Sequence, residues 1–386
     1  MLKMNSRERI LAALKREEVD RVPAPQIFWK WVPKEQAFTW KNLEEEILWL
    51  KQHDFDPYLN LPLPVGIDHT KEVALHIEKH QWIEESPDKK EKILGSEWSY
   101  KDKKLSAKVR ITEDYPFQEL YLFSDFNTAR FVEPLIKKGE DMLTLIEMDP
   151  FPLPQGEALK NWKERCKQLK KIAQQQGLAL ACYGGCALDY LIWSSLADQA
   201  IMLVLDYPAE TKAFLEYLNS RTETMVSWCI EEGVDFIIRR GWYDSADFWG
   251  PQQFSEFAAP FIKRTIDLAH QAELPCVYVM CTGINPLLKE LEKLSFDCLW
   301  GIEPVCTGQD LKQIKATLGN KCSFCTGLSA PLHIGLGTPE KVREAVQEAF
   351  KLFGRRGFLF SAVPSIRRHW PWENVLAMID EYKKLA

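Results

Sequence analysis

From residue 157 to the C-terminus, short apolar runs rich in β-branched and aromatic residues alternate with longer stretches of helical periodicity. This is the pattern of consecutive β-α units. The strand-like runs are LALACYG (178–184), VDFIIRRG (234–241), PCVYVMCTG (275–283), FDCLWGIEP (296–304), KCSFCTGLS (321–329) and GFLFSAVPS (357–365). Helical periodicity occupies 189–229, where several helices are expected, and then 251–272, 285–294, 310–318 and 339–353. Thr338 before Pro339 and Asp310 read as N-caps, and Gly319 and Gly354 as helix ends.

Upstream, a helix capped by Asn5 or Ser6 precedes VPAPQIFWKW, which Pro23 and Pro25 keep extended, and a helix over 42–53 precedes the strand candidate DPYLNLPLP. Two strands here and six downstream make eight, read as buried parallel strands joined by helices. The expectation is an α/β fold of the (β/α)8 TIM-barrel type, forming one domain over residues 1–386. Residues of about 75–125 break the alternation with a charged run that reads as antiparallel hairpins turning near Asp102, an inserted β-rich element near the N-terminus.

Composition changes the picture mainly by exclusion. The chain has 386 residues, 46% of them hydrophobic and 27% charged, which is ample for a core. Its net charge of -6, without a basic stripe, argues against nucleic acid as a partner. No apolar stretch is long enough to span a bilayer, and the polar opening MLKMNSRERI is unlike a signal peptide, so a cytoplasmic protein without membrane partners is expected. The ten cysteines are irregularly spaced, as reduced thiols are. No glycine-rich phosphate motif occurs.

In a barrel of this kind chemistry sits at the carboxyl ends of the strands. Aromatic residues crowd those positions, suiting a flat apolar ligand: Trp29, Trp242, Trp300 and Trp370 are candidate pocket walls, with Arg240 as a polar contact. Candidate proton-handling residues are Tyr243 and Asp247 after the second of the six runs, Glu303 directly after an apolar strand, and His369 after the last one. Cys322 and Cys325 form a CxxC, but three residues apart on a strand they face opposite sides and cannot share a metal. His76 and His80 have the spacing of a helical metal pair but no third ligand, and His333 lies in a loop.

Several segments together resemble the uroporphyrinogen decarboxylase superfamily: MNSRERILAALKREEVDRVP, EEGVDFII with SADFWGPQQFSEFAAPFIKRTIDLAH, IEP followed by DLKQIKATLGNK, LGTPEKVREAVQEAF, and GFLFSAVPSI with PWENVLAMIDEY. The resemblance spans nearly the whole chain and implies a (β/α)8 barrel. It also implies one of two activities, decarboxylation in the haem pathway or corrinoid-dependent methyl transfer. The decarboxylase branch carries Arg-Gln-Ala-Gly-Arg after its first strand, where this chain reads QIFWKWVPK. Thiol-methylating members carry His-x-Cys-Gly and a later Cys for zinc. Cys281 stands at the first Cys, but Val279 replaces the His and Pro364 the second Cys, so no metal site is expected.

What the resemblance then implies is a methyltransferase of the O-demethylase type, moving a methyl group from a small methylated donor, a methoxylated aromatic compound, to cobalamin carried by a separate corrinoid protein. The alternatives are a decarboxylase of a smaller acid, with Arg239, Arg240 and Arg367 as carboxylate clamps, and a non-catalytic partner of a corrinoid protein. A homo-oligomer is compatible with the sequence.

Overall fold

The computed structural model describes residues 3–29, 40–64, 76–112 and 119–386, and of Trp29 the backbone only. Thirteen strands are formed among these: β1 (Phe28–Trp29), β2 (Tyr58–Leu61), β3 (Glu78–Glu85), β4 (Lys92–Tyr100), β5 (Lys103–Ile111), β6 (Phe131–Glu133), β7 (Ala179–Tyr183), β8 (Phe236–Arg240), β9 (Cys276–Val279), β10 (Cys298–Trp300), β11 (Ser323–Ser329), β12 (Phe358–Val363) and β13 (Ile366–Arg367). Seven of them, β2 and β7 to β12, lie side by side in chain order in one parallel sheet.

The curled sheet buries both of its faces. On the concave side Ala179, Ala181, Phe236, Ile238, Val277, Val279, Cys298, Trp300, Cys325 and Leu359 form one apolar cluster. The residues between them in the chain, among them Leu180, Ile237, Tyr278, Leu299, Phe324 and Phe360, belong to a second cluster shared with the surrounding helices. Strict alternation puts neighbours on opposite faces. Cys322 and Cys325 divide accordingly, the first into the outer cluster and the second into the inner one, as their spacing requires. The helix Ser6–Leu14 adds Ile10, Ala13 and Leu14 to the inner cluster, and Asn5 caps it reciprocally with Glu8. It packs against β7 and β12 at the end of the sheet remote from the strands' carboxyl termini.

Among the described residues no regular strand joins β12 to β2. The residues just before β1 reach both edges instead: the Phe360 N–H donates to the Pro23 carbonyl (2.8 Å) and the Asp56 N–H to the Ala24 carbonyl (2.9 Å). The Gln26 side chain accepts the Ala362 N–H at 2.7 Å, and β1 itself pairs in parallel with β13. Pro23 and Pro25 carry no N–H, so a full ladder is chemically barred here.

Between β2 and β7 in the chain, β3 to β6 make an antiparallel sheet of four strands. Its β4-β5 hairpin turns at Lys101 and Asp102, with Lys101 at φ 54°. One face is apolar, and Leu94, Trp98, Leu105, Ala107 and Val109 join the same outer cluster as the helices of the parallel sheet. The segment 189–229 forms three helices, Asp189–Ser194, Ala197–Asp206 and Pro208–Glu231. No helix among the described residues is long and apolar enough to cross a membrane.

Candidate active site

The two consecutive arginines of β8 part company because the strand alternates. Phe236 and Ile238 point inward, so Arg239 points out and Arg240 in. Arg239 is fully buried among the helices, donating to the carbonyls of Gly184 and Cys186 (both 2.7 Å), to Asn219 Oδ1 (2.8 Å) and to Thr265 Oγ1 (3.3 Å). It is a structural residue, and the carboxylate-clamp role expected for it is corrected: its guanidinium is spent on loop carbonyls on the wrong face. Arg240 sits at the concave end with its guanidinium 4.8 Å from the Tyr183 ring and 5.5 Å from the Trp193 ring.

The loop after β8 carries Trp242, Tyr243, Asp244 and Asp247. Trp242 packs against the inner cluster, and a Cβ built on Gly301 would lie 3.5 Å from both the Trp242 ring and Cys281 Sγ, so these three meet at the strand ends. Gly301 has φ 94°, a left-handed geometry that suits glycine. Tyr243 is half-buried, and its hydroxyl donates to Asp125, which stands in the segment between β5 and β6. Burial first, and then the Asp125 charge, push the Tyr243 phenol well above its ordinary range. Its proton is therefore committed, which leaves the phenol a poor acid. The backbone of this loop is held from the helix that follows β7: both oxygens of the buried Asp189 accept N–H groups of Trp242 and Tyr243.

Glu303 follows β10 by three residues and is half-buried. Its Oε1 accepts the Val305 N–H at 3.0 Å, and its own N–H donates to the Cys281 carbonyl at 2.9 Å. Burial raises its carboxyl above the ordinary range, against bonds from Val305 and the Ser329 side chain that act the other way. Cys281, next to it, is also pushed up, by burial and then by Glu303 and Asp189, so its thiol keeps its proton at neutral pH. The Ser329 N–H donates to His333 Nδ1 at 3.0 Å, and burial lowers the pKa of that imidazole, which leaves it neutral with its proton on Nε2.

Trp300 is 4% exposed and packs edge-on against Tyr58 at 5.8 Å, filling the concave interior; as the wall of an open pocket it is corrected to core. Asp247 is exposed, accepting from Ser245 Oγ (2.7 Å) and Thr282 Oγ1 (2.5 Å). His369 is exposed beside Trp370, whose ring lies over Gly335. Among the described residues no hydrogen bond or ring contact joins either of them to Trp242, Tyr243 or Glu303. The Trp29 side chain lies outside the described residues. His80 is in strand β3 stacked on Trp82, and His76 bonds the Met148 carbonyl, so this pair is not helical. Among the described residues no three His, Cys, Asp or Glu side chains stand together where they could hold a metal.

Asp125 and Asp189 were not legible as site residues. Asp125 falls next to the charged hairpins, and Asp189 reads as an ordinary acidic residue at a helix start. Two surface grooves of about 450 and 430 Å3 lie away from the strand ends, one along the helix Gly156–Gln176 and one between Pro208–Glu231 and Ala259–Gln271.

The sequence model of the uroporphyrinogen decarboxylase (URO-D) family matches residues 123–385. Among solved structures, a methyltransferase from Methanosarcina mazei is 16% identical, with 99% of each chain covered and a TM-score of 0.59. A B12-independent methionine synthase from a Shewanella species is 10% identical over 94% of each chain, with a TM-score of 0.49. No curated protein sequence matches the chain.

Proposed function

Because this chain belongs to the uroporphyrinogen decarboxylase family, which its matched residues establish, we propose that it is a methyltransferase that takes a methyl group from a methoxylated aromatic donor and passes it to the cobalt of a separate corrinoid protein. The observation that carries the reading is the makeup of the strand ends. Arg239 is withdrawn into the helix layer, while Trp242 and Tyr183 pack against the inner cluster, the neutral Tyr243 follows Trp242 in the same loop, and after β10 stands an acid, Glu303, whose pKa burial has raised. A polyanionic porphyrinogen needs several free cations, whereas a methoxyarene needs flat apolar walls and one proton donor. The methyltransferase from Methanosarcina mazei, which has the same overall fold, supports the reading.

The partner's reduced corrinoid supplies the nucleophile, Co(I). The work left to this chain is to hold the donor and protonate its leaving group. The aryl oxygen to methyl bond breaks, the methyl goes to cobalt, and the phenolate takes a proton from Glu303. Phenol has a pKa of about 10, so an unassisted phenolate leaves poorly, and a placed acid contributes about 10² to 10⁴ in rate. Asp247 and His369, both exposed, are the other candidate acids, and Trp29, Trp370 and Arg240 further donor contacts.

We also read the segment before β1 as the eighth strand of a (β/α)8 barrel, β3 to β6 as an insertion into it, and residues 1–386 as a single domain. All ten cysteines are free, which suits the reducing cytoplasm.

The test combines the protein, a reduced corrinoid protein and a guaiacol-type donor. Methylated corrinoid and free phenol are the expected products, and neither should form when the corrinoid protein is left out. Glu303→Gln should lower kcat by about 10² or more on unactivated donors and by less on donors whose phenol is acidic, with Asp247→Asn and His369→Ala closer to wild type. A second reading keeps one observation, the Arg240 guanidinium at the strand ends, which could hold a carboxylate. Carbon dioxide release from a small aromatic acid, with no methyl transfer from any donor, would replace the first reading by this one.

A further inference from the structure

Asp189 and Asp244 are both fully buried where the loops after β7 and β8 meet. Burying a carboxylate costs several kcal/mol unless bonds and opposite charges replace its water, and a like charge beside it adds to that cost; Arg240 offsets part of it for Asp189 and Arg239 for Asp244, and hydrogen bonds supply the rest. Here the bonds cross. Asp189 Oδ2 accepts the Trp242 N–H at 3.0 Å and Oδ1 the Tyr243 N–H at 2.7 Å. In return Asp244 Oδ1 accepts the N–H of Leu188, the residue just before Asp189, at 3.0 Å, and Oδ2 accepts the Tyr278 hydroxyl at 3.1 Å.

A carboxylate at a helix start ordinarily caps its own helix. Asp189 opens the helix Asp189–Ser194, which has no side-chain cap, and gives both oxygens to the neighbouring loop instead. The fit is close as well. A Cβ added at Gly241 would lie 2.5 Å from Asp244 Oδ2 and 2.6 Å from the Tyr278 hydroxyl, so only glycine fits between strand and latch.

We propose that Asp189 is a positioning residue that fixes the backbone of Trp242 and Tyr243, and with it the aromatic wall on which the donor lies, with Asp244 locking the latch from the other side. The role in donor binding rests on the proposed function; the latch itself does not. Two variants separate the effects. Asp189→Asn keeps the shape but turns an NH2 toward one of the two amides, and Asp189→Ala removes both acceptors.

For Asp189→Asn, hydrogen exchange at the Trp242 and Tyr243 amides should quicken while exchange elsewhere stays as in wild type. The donor's Kd, titrated without corrinoid protein, should rise about tenfold, and the loss in turnover should fall more on KM than on kcat. Asp189→Ala should go further in the same direction. Unchanged exchange at these two amides overturns the latch. Quickened exchange with unaltered donor affinity, or a fall in kcat and thermal stability together at constant Kd, overturns the positioning role and leaves a merely structural one. If wild-type protein binds no methoxylated aromatic, the functional reading fails, and exchange alone decides the latch.

Discussion

At the scale of single residues, burial decides more than residue type does. Asp244 has the least ordinary titration that can be followed: burial pushes its carboxyl up to about 6, against the pull of the Arg239 charge. In an unfolded chain the same group titrates near ~3.9. Since the folded pKa is the higher one, the fold favours the protonated form. The stability this supplies is complete below about pH 4 and is lost as pH rises through about 6. Asp244→Asn, which cannot ionise, should therefore gain on wild type as pH rises, and the difference between their Tm values should grow from about pH 4.5 to about pH 7.5. A constant difference would mean that Asp244 stays ionised throughout. Arg239→Leu should cost about 3 kcal/mol or more, because two carbonyls and Asn219 would be left buried without a donor; urea midpoints measure it. Arg240→Leu, at the concave end, should act on ligand affinity and also lower stability, because the Arg240 charge offsets that of the buried Asp189. The sequence places both arginines at one strand end but leaves open which faces inward, since a strand apolar on both sides gives no phase to its alternation.

At the scale of elements, the punctuation was legible where a single residue carries it. Asn5, Asp310 and Thr338 each cap the helix that follows, and Asn5→Ala should lower stability by about 1 kcal/mol in thermal or urea unfolding. In the antiparallel sheet the Trp82 ring lies over Gly95, its partner across β3 and β4, and a Cβ there would come within 2.4 Å of the ring. This pair helps to fix the register of the two strands. Trp98, one strand further in, is 1% exposed within the cluster shared with the helices. Trp98→Ala should cost about 3–5 kcal/mol. If the antiparallel and the parallel sheet unfold together, the whole transition moves by that amount; a new early transition confined to the antiparallel sheet would make it a separate unit. The short strands β6 and β13 were not legible, because three residues and two residues carry no period.

At the scale of the whole molecule, a shared outer cluster reaches from Trp98 through the helices to Tyr382 near the C-terminus. Calorimetry should accordingly show one cooperative unfolding peak for the whole chain, with calorimetric and van't Hoff enthalpies in agreement. Two resolved peaks would contradict the single-domain reading.

The sequence by itself determined the parallel α/β architecture, the order of the strands and most helix boundaries. These follow from local periodicity, which neighbours along the chain suffice to set. It also determined that Cys322 and Cys325 part to opposite faces. Only the tertiary structure decided that Trp300 fills the interior, that Arg239 serves the helix layer, and that His369 is exposed beside Trp370. It alone brought Asp125 to Tyr243 and Asp189 to Trp242, across 118 and 53 residues of chain. The reason is physical: periodicity records which face a residue prefers, but a hydrogen bond between two loops depends on where separate strands end in space, and no local pattern encodes that.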